Sequence, residues 1–516
     1  AVALLGPVWR LADGMAGRAR SVAATLGVRA VARRQRTLGV PLLLLTTAVA
    51  TAVLASWYTG SARAAQESVA ITAAGADARV DLPARSAVSS AFPPRSLAPL
   101  RDATDVAQAG GVARVPARIG ADDLTLLGLP DVDVARGGSV GADTLLAAIA
   151  TPAAAGLAPG DVAVTGLVLD DVTSPTPEGR ATAWFGASTG DLAREPMTEV
   201  DGRVVARVPD GGPWHLLAVD VPAAAVVGES AVRVTQDGGD LAPGWTVTSW
   251  PGALLRLTPE PAAAEVPAAL STPLAQRWGA EVGSRVDVRY RGTTLPVTVA
   301  LVADTLPGVT DPYAVVVDLD ALRAHELDAR RGVADIDEVW LALDPAEPIP
   351  GASADPLVGP ARDLGGTVVR PAHSSAAVAG GVFAGVTVVV TLLALAAVLA
   401  AVLVLARERR GEVPVLAASG LSGRRQATSR AAEPLLLGGA GLLAGLAVGA
   451  LVGVAVVPPL VALSVPGAPE DAAGLAAGPL VTCAALTLAG LAAVAATLAA
   501  WVRRQAADTA YREETR

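Results

Sequence analysis

Lysine is missing. All 40 basic residues of the 516-residue chain are arginine. A nucleotide-binding loop of the G-x-x-x-x-G-K-[ST] kind is therefore impossible, because its lysine makes the contact to the phosphates. Any dependence on ATP has to come from a partner. Cysteine is nearly missing too. Cys483 stands alone inside an apolar run, so no disulfide can close within the chain and no CxxC pair exists. The three histidines, His215, His325 and His373, are scattered and show none of the spacings of a zinc site; no metal and no cofactor is expected. Charged residues make up 17% of the chain, against about 25% in an ordinary soluble protein. The formal net charge of -9 argues against a nucleic-acid partner, which calls for a basic face. The arginine-for-lysine bias and the high Ala, Gly and Val content read as genome composition rather than function.

What the chain does have is apolar sequence, 52% of all residues with a mean hydropathy of +0.48, gathered into four blocks. A bilayer core about 30 Å thick needs ~20 mostly apolar helical residues. Residues 38–57 supply the first such stretch and end on Trp57 and Tyr58, which suit a membrane interface. Residues 376–406 form an uncharged run long enough to tilt, 434–457 a third span closed by Pro458 and Pro459, and 475–502 a fourth ending near Trp501. Arginine placement sets the sidedness, since basic loops stay in the cytoplasm. Residues 1–37 carry seven arginines and one acid, 407–433 six and three, and 503–516 four and three. The loop 458–474 has two acids and no arginine. Both termini are thus expected inside, and residues 58–375, with 23 arginines and 40 acids, outside. The opening residues read as the tail of an apolar helix, so the chain is expected to be a piece of a longer polypeptide, with 1–37 a linker or amphipathic segment.

Within the external region the start of 61–110 is expected to continue the first span as a helical stalk, and the rest of that stretch reads as loop-rich. Between 162 and 257 short β-prone runs such as "GRVVARVP" and "GWTVTSW" are separated by Gly, Pro and Asp, a spacing that predicts a β-sandwich or barrel. Residues 261–372 alternate strand and helix patterns, a compact α+β unit. The expected fold is a polytopic α-helical membrane protein with four transmembrane helices and a large extracytoplasmic α+β domain carrying a β-rich insert. "GASTG", residues 186–190, matches G-x-S-x-G, but the hydrolase elbow needs a strand-to-helix turn; here a plain turn at Ser188 is expected. Gly441, Gly445, Gly449 and Gly453 recur every four residues on one face of the third span, where small residues let helices approach closely in lipid.

The segment "RERRGEVPVLAASGLSGRRQ", 407–426, interrupts the apolar runs. Pro414 suits a first helical turn, Leu416 an apolar contact and Gly420 a helix C-cap, so a short amphipathic helix is expected there. Arg409, Arg410, Glu412, Leu416, Ala418, Gly420, Ser422 and Gln426, with Glu433 opening the next span, resemble the segment between the second and third spans of the FtsX-like permease family of ABC transporters, the MacB-type permeases among them. The order of one span, a large external domain and three further spans is similar too, and the opening 37 residues are similar to the linker between halves of duplicated members. Pro414 and Ser419 depart from that pattern. The resemblance implies a non-catalytic subunit in a bacterial plasma membrane, whose partners are a cytoplasmic ABC ATPase, membrane lipid, and a first permease half or a second copy. It implies Arg409, Arg410, Glu412, Leu416, Gly420 and Glu433 as the coupling residues. A membrane-tethered binding or sensor protein without an ATPase is the other reading of the same residues.

Overall fold

A computed structural model describes residues 35–85, 94–151, 156–165, 181–201, 203–210, 212–222, 233–242, 244–250, 254–259, 265–329, 332–344, 355–370, 376–408, 411, 422–467 and 473–507. The chain divides into two compact units, residues 1–67 with 373–516, and residues 68–372. The first described helix, α1 (Gln35–Ala74), contributes residues to both.

After α1 come β1 (Ala78–Asp81), α2 (Ala98–Arg101), β2 (Val106–Ile119), β3 (Asp122–Leu129) and α3 (Ala142–Ile149). Next are β4 (Asp161–Thr165), β5 (Thr182–Ala187), β6 (Leu192–Pro196), β7 (Thr198–Val200), β8 (Arg203–Arg207), β9 (Trp214–Pro222), β10 (Arg233–Gln236), β11 (Gly239–Asp240), β12 (Trp245–Trp250) and β13 (Leu254–Pro259). Then follow β14 (Val266–Ser271), α4 (Thr272–Trp278), β15 (Arg285–Tyr290), β16 (Thr293–Ala303), β17 (Ala314–Asp318), α5 (Leu319–Ala329), β18 (Glu338–Leu343), α6 (Val358–Asp363) and β19 (Thr367–Val369). Three long helices close the chain, α7 (Ala376–Glu408), α8 (Gly423–Ser464) and α9 (Ala477–Ala507).

The larger unit is built on a nine-stranded sheet of order β15-β16-β14-β17-β3-β2-β18-β1-β19. Because β15 also pairs with β2, six strands close on themselves as a barrel, which removes their free edges. Alternation sorts the side chains. Leu124, Leu126, Val315 and Val317 enter one core, while Leu127, Leu129, Ala314 and Val316 enter a second one beneath Leu145 and Ile149 of α3, as a period of two requires. The barrel repeats itself. "VPARIGADDLTL" (115–126) and "VDVRYRGTTLPV" (286–297) form matching hairpins, each followed later by a strand and a helix, β14–α4 and β17–α5. Equivalent positions pair directly between neighbouring strands, Arg118 with Arg289 and Ala269 with Val316, as a local two-fold axis demands. Within 61–110, whose part beyond the stalk the sequence reads as loop-rich, residues 78–81 and 106–110 are instead strand, in β1 and β2. Gly110 and Gly111, where β-propensity fails, are held in β2 by pairing with Trp340 and Val339 of β18.

Between α3 and β14 the chain leaves the barrel to build a sandwich of two antiparallel sheets, β11-β10-β4-β8-β7 and β12-β13-β9-β5-β6. Val162, Val204 and Val234 of one sheet share a core with Phe185, Leu216 and Leu257 of the other. The β-rich insert expected over 162–257 is this sandwich. The outer face of its second sheet packs Trp184, Leu192 and Leu217 on Leu327 of α5.

Among the described residues, four helices of the smaller unit are long and apolar enough to cross a membrane. The first helix runs 40 residues, past Trp57 to Ala74, as the expected stalk. One expected endpoint moves: the third helix does not stop at Pro458 and Pro459 but continues to Ser464. Each proline forfeits one helix hydrogen bond, to the carbonyl four residues back, a loss that apolar spanning helices tolerate where local geometry adjusts.

Candidate functional site

α1 is the spine of the smaller unit. The four glycines of α8 meet it in strict register: a Cβ built on Gly441, Gly445, Gly449 or Gly453 would lie 2.7, 2.5, 2.8 or 2.5 Å from Leu45, Val49, Val53 or Trp57. Both rows rise together, so α1 and α8 run parallel. Leu45 and Ala48 also touch Ala394 of α7, and Val49 and Ala52 touch Cys483 of α9. Toward the far end of this packed stretch, Gly60 and Gly474 approach so closely that a Cβ on either would meet the other's backbone at 2.5–2.7 Å. The Ser61 hydroxyl accepts from the Gly474 N–H at 3.1 Å and the Ser56 carbonyl from the Ala476 N–H at 2.9 Å. Hydroxyls are spent locally: Thr391 donates to the Thr387 carbonyl at 2.7 Å and lies 3.4 Å from the Cys483 sulfur.

The C-terminal turn of α1, within the larger unit, is clamped. Gly75 ends the helix in the left-handed region (φ +80°) and its N–H donates to the Ile71 carbonyl at 2.8 Å. Thr72 is held on two sides, its carbonyl by the Gly308 N–H at 2.6 Å and its hydroxyl by the Gly138 N–H at 3.1 Å. The Arg136 N–H reaches the Gly75 carbonyl at 2.7 Å. Gly75 and Gly308 lie against the indole of the fully buried Trp340, where a Cβ would come within 2.5 and 2.3 Å of the ring. The indole N–H donates to Glu338 at 2.8 Å, and Arg114 binds the same carboxylate and the Gly308 carbonyl, both through its guanidinium.

Of the residues the sequence singles out for coupling, Arg409, Arg410, Glu412, Leu416 and Gly420 lie outside the described residues. Glu433 is described. It lies on α8 one turn after Arg430, and both line a cleft against α7 and α9 whose other walls are Val402, Leu405, Ala406, Pro434, Leu437 and Leu498. Arg430 is buried there, at 7% exposure, and Gln426, one turn earlier on α8, is buried at 2%. Ser188 sits in the turn between β5 and β6, with Gly190 at φ +81° and Asp191 leading into β6; two strands flank it, not a strand and a helix, so the nucleophile geometry is absent at this motif.

That hairpin instead docks the sandwich on the barrel. The Gly111 N–H donates to the Thr189 carbonyl at 2.8 Å, and a Cβ on Gly190 would strike the Gly111 backbone at 2.6 Å. Arg323 of α5, 1% exposed, donates to the Gly190 carbonyl at 2.9 Å. Burial draws its guanidinium below the ordinary arginine value while the Asp320, Asp335, Asp191 and Glu326 carboxylates act in the opposite direction. His215 of β9 lies 3.2 Å from Asp320 at the start of the same helix. The clamp and the docking charges carry no sequence signature beyond the isolated Gly75 and Gly308. Among the described residues no group of His, Cys, Asp and Glu is arranged to hold a metal ion. No protein-family model matches the chain, and no curated protein matches it.

Proposed function

We propose that the chain is the membrane-spanning permease half of an ABC transporter in a bacterial plasma membrane, and that it passes motion from a separate cytoplasmic ATPase to an extracytoplasmic domain, for export, extraction or regulation of the cell envelope. The single observation that carries this reading is α1. One unbroken helix of 40 residues packs along the glycine face of α8 at one end and is clamped by Gly308, Gly138 and Trp340 at the other. A helix held by backbone hydrogen bonds at its tip and by a close-packed glycine seam along its length transmits displacement instead of absorbing it, because packed interfaces shift between discrete states and do not deform freely. Arg409, Arg410, Glu412, Leu416 and Gly420 form the handle for the ATPase in this reading, with Leu416 the apolar contact, and Glu433 supports the handle from the first turns of α8. Both termini are cytoplasmic, and a first permease half or a second copy completes the transporter.

Co-purification tests it. Purified from its own cells, the intact protein is expected to bring an ABC ATPase down in near-stoichiometric amount, and Leu416→Asp with Glu412→Arg to reduce recovery at least tenfold while leaving the protein folded. Loss of a buried leucine contact and reversal of a charge together exceed the ~1.4 kcal/mol that a tenfold change requires. If no ATPase is recovered with the intact loop, the chain is a membrane-tethered binding or sensor protein and the proposal falls.

A further inference from the structure

We infer that His215 and Asp320 form a pH-sensitive latch between the sandwich and the barrel, which holds the two together more firmly as the pH falls through the histidine range. His215 lies on β9 two residues from Leu217, on the face that the sandwich turns to α5. Asp320 is in the first turn of α5, and the imidazole Nε2 stands 3.2 Å from its Oδ2. Gly186, opposite His215 on β5, has no side chain to part them: a Cβ there would lie 2.9 Å from Nε2 and 3.1 Å from Oδ1 of Asp320. A neutral imidazole donates one ordinary hydrogen bond to the carboxylate. Protonation makes that bond charge-assisted and about twice as strong, and imidazole is the side chain whose charge ordinarily changes between about pH 5 and 8. The other contacts across this interface contain no imidazole. They are Arg323 on the Gly190 carbonyl, Arg101 on Asp191, Arg256 on the Leu327 carbonyl, and the cluster of Leu327 and Val333 with Trp184 and Leu217.

The surrounding charges fix the sign. α5 presents Asp320, with Arg323 one turn on and 3.7 Å from Oδ1, and that guanidinium is drawn also toward Asp191, Asp335 and Glu326. Asp318 precedes Asp320 by two residues, and Asp131 acts on it from the loop before α3. Asp191 of the β5–β6 turn is bonded to Arg101, and Asp220 of β9 itself to Arg256. Acids outnumber bases around His215, so the docked state favours the protonated imidazole. Acid therefore strengthens docking, and that support is lost as the pH rises through the histidine range. The latch does not depend on the ATPase reading.

Deuterium exchange of the full chain, corrected for the intrinsic pH dependence of exchange, tests it. Two amides cross the same interface, the Gly111 N–H to the Thr189 carbonyl and the Leu97 N–H to the Asp191 carboxylate. The background is Asp318→Asn, which takes away the neighbouring carboxyl that burial pushes up to about 6. Protection of both amides is expected to fall about threefold between about pH 5 and 8, the effect of one part-exposed ion pair. His215→Gln, whose amide still donates to Asp320, is expected to abolish the dependence. His325→Gln, at a histidine of α5 whose charged form burial disfavours, is expected to keep it. Molar salt, which screens a part-exposed pair, is expected to shrink it, and this arm decides if His215→Gln does not fold. Protection that does not change with pH overturns the inference. So does a dependence that survives His215→Gln, vanishes with His325→Gln or is untouched by salt.

Discussion

Arg256 and Asp220 are locked together on the outer face of the sandwich's second sheet, against α5, by two parallel hydrogen bonds, 2.6 Å from Nε to Oδ1 and 2.9 Å from Nη2 to Oδ2. The pair is almost completely buried, at 1% and 4% exposure. It is not isolated. Asp220 also accepts from the Trp184 indole at 2.8 Å, and Arg256 donates to the Leu327 carbonyl at 2.9 Å, so one guanidinium ties β13 of the sandwich to α5 of the barrel. Removing one charge strands the other away from water, which typically costs about 3–5 kcal/mol, whereas replacing both by apolar side chains of similar volume costs far less. Arg256→Met is therefore expected to lower the melting temperature steeply and to loosen the sandwich, and Arg256→Met with Asp220→Leu to recover most of the loss. A double-mutant cycle on thermal unfolding, followed by Trp184 fluorescence, checks it.

The glycine face of α8 gives a second expectation with a built-in control. Gly445→Leu would drive a side chain into Val49 and the Thr46 carbonyl, 2.5 and 2.8 Å from the new Cβ, while Gly439 on the same helix has nothing within 4 Å. Overpacking a close-packed contact costs about 1–3 kcal/mol, more when backbone blocks the way. Gly445→Leu is expected to lower the thermal stability of the purified protein sharply, and Gly439→Leu to leave it near wild type.

The glycine row shows what a sequence can state and what it leaves to the fold. A strict four-residue period is visible in Gly441, Gly445, Gly449 and Gly453, because helical geometry turns sequence spacing into a face. Its partner row of Leu45, Val49, Val53 and Trp57 has the same period, but any apolar span offers several such rows, so the match is settled only by packing. The sandwich was legible in its alternating runs for the same reason. The barrel was not. Gly110 and Gly111 break the strand pattern of β2, and "VPARIGADDLTL" shares with "VDVRYRGTTLPV" the valine, arginine and leucine at three positions, too few to announce a repeat before Arg118 is seen opposite Arg289. Pro458 and Pro459 misled in the other direction, since a local breaker is overruled inside a long apolar helix.

The clamp on α1 yields a third expectation. Gly308 has φ +71°, and a Cβ there would sit 2.3 Å from the Trp340 ring. Gly308→Ala thus meets a steric collision in addition to about 1–3 kcal/mol of backbone strain. Because the Gly308 N–H binds the Thr72 carbonyl, the loss should appear locally. Amide exchange at Gly75 and Gly138, the neighbouring donors in the clamp, is expected to quicken about tenfold or more, as a 1.4 kcal/mol loosening produces. Amides of the sandwich strands are expected to keep their protection.

Asp318 supplies a pH dependence whose sign is fixed by its surroundings. Its carboxylate accepts the N–H groups of Asp320 and Ala321 at 2.7 and 2.9 Å and so caps α5. Burial first, and then the charge of Asp320, push its pKa up to about 6 from an ordinary 3.8, against the pull of those two N–H groups. A carboxyl whose pKa is raised on folding binds its proton more tightly in the folded state. Its contribution to stability is thus fully present below pH ~4, is lost as the pH rises from about 4 to 6, and stays lost above. The shift corresponds to at most about 3 kcal/mol. Asp318→Asn keeps an oxygen acceptor at the helix start, where asparagine caps as well as aspartate, and carries no charge to bury. The variant is expected to be more stable than wild type at pH 7, with the advantage shrinking through pH 6 to 4 and vanishing below. Chemical denaturation across that range reads the difference, and a variant that is less stable at pH 7 would mean that the charge of Asp318 strengthens the cap by more than its burial costs.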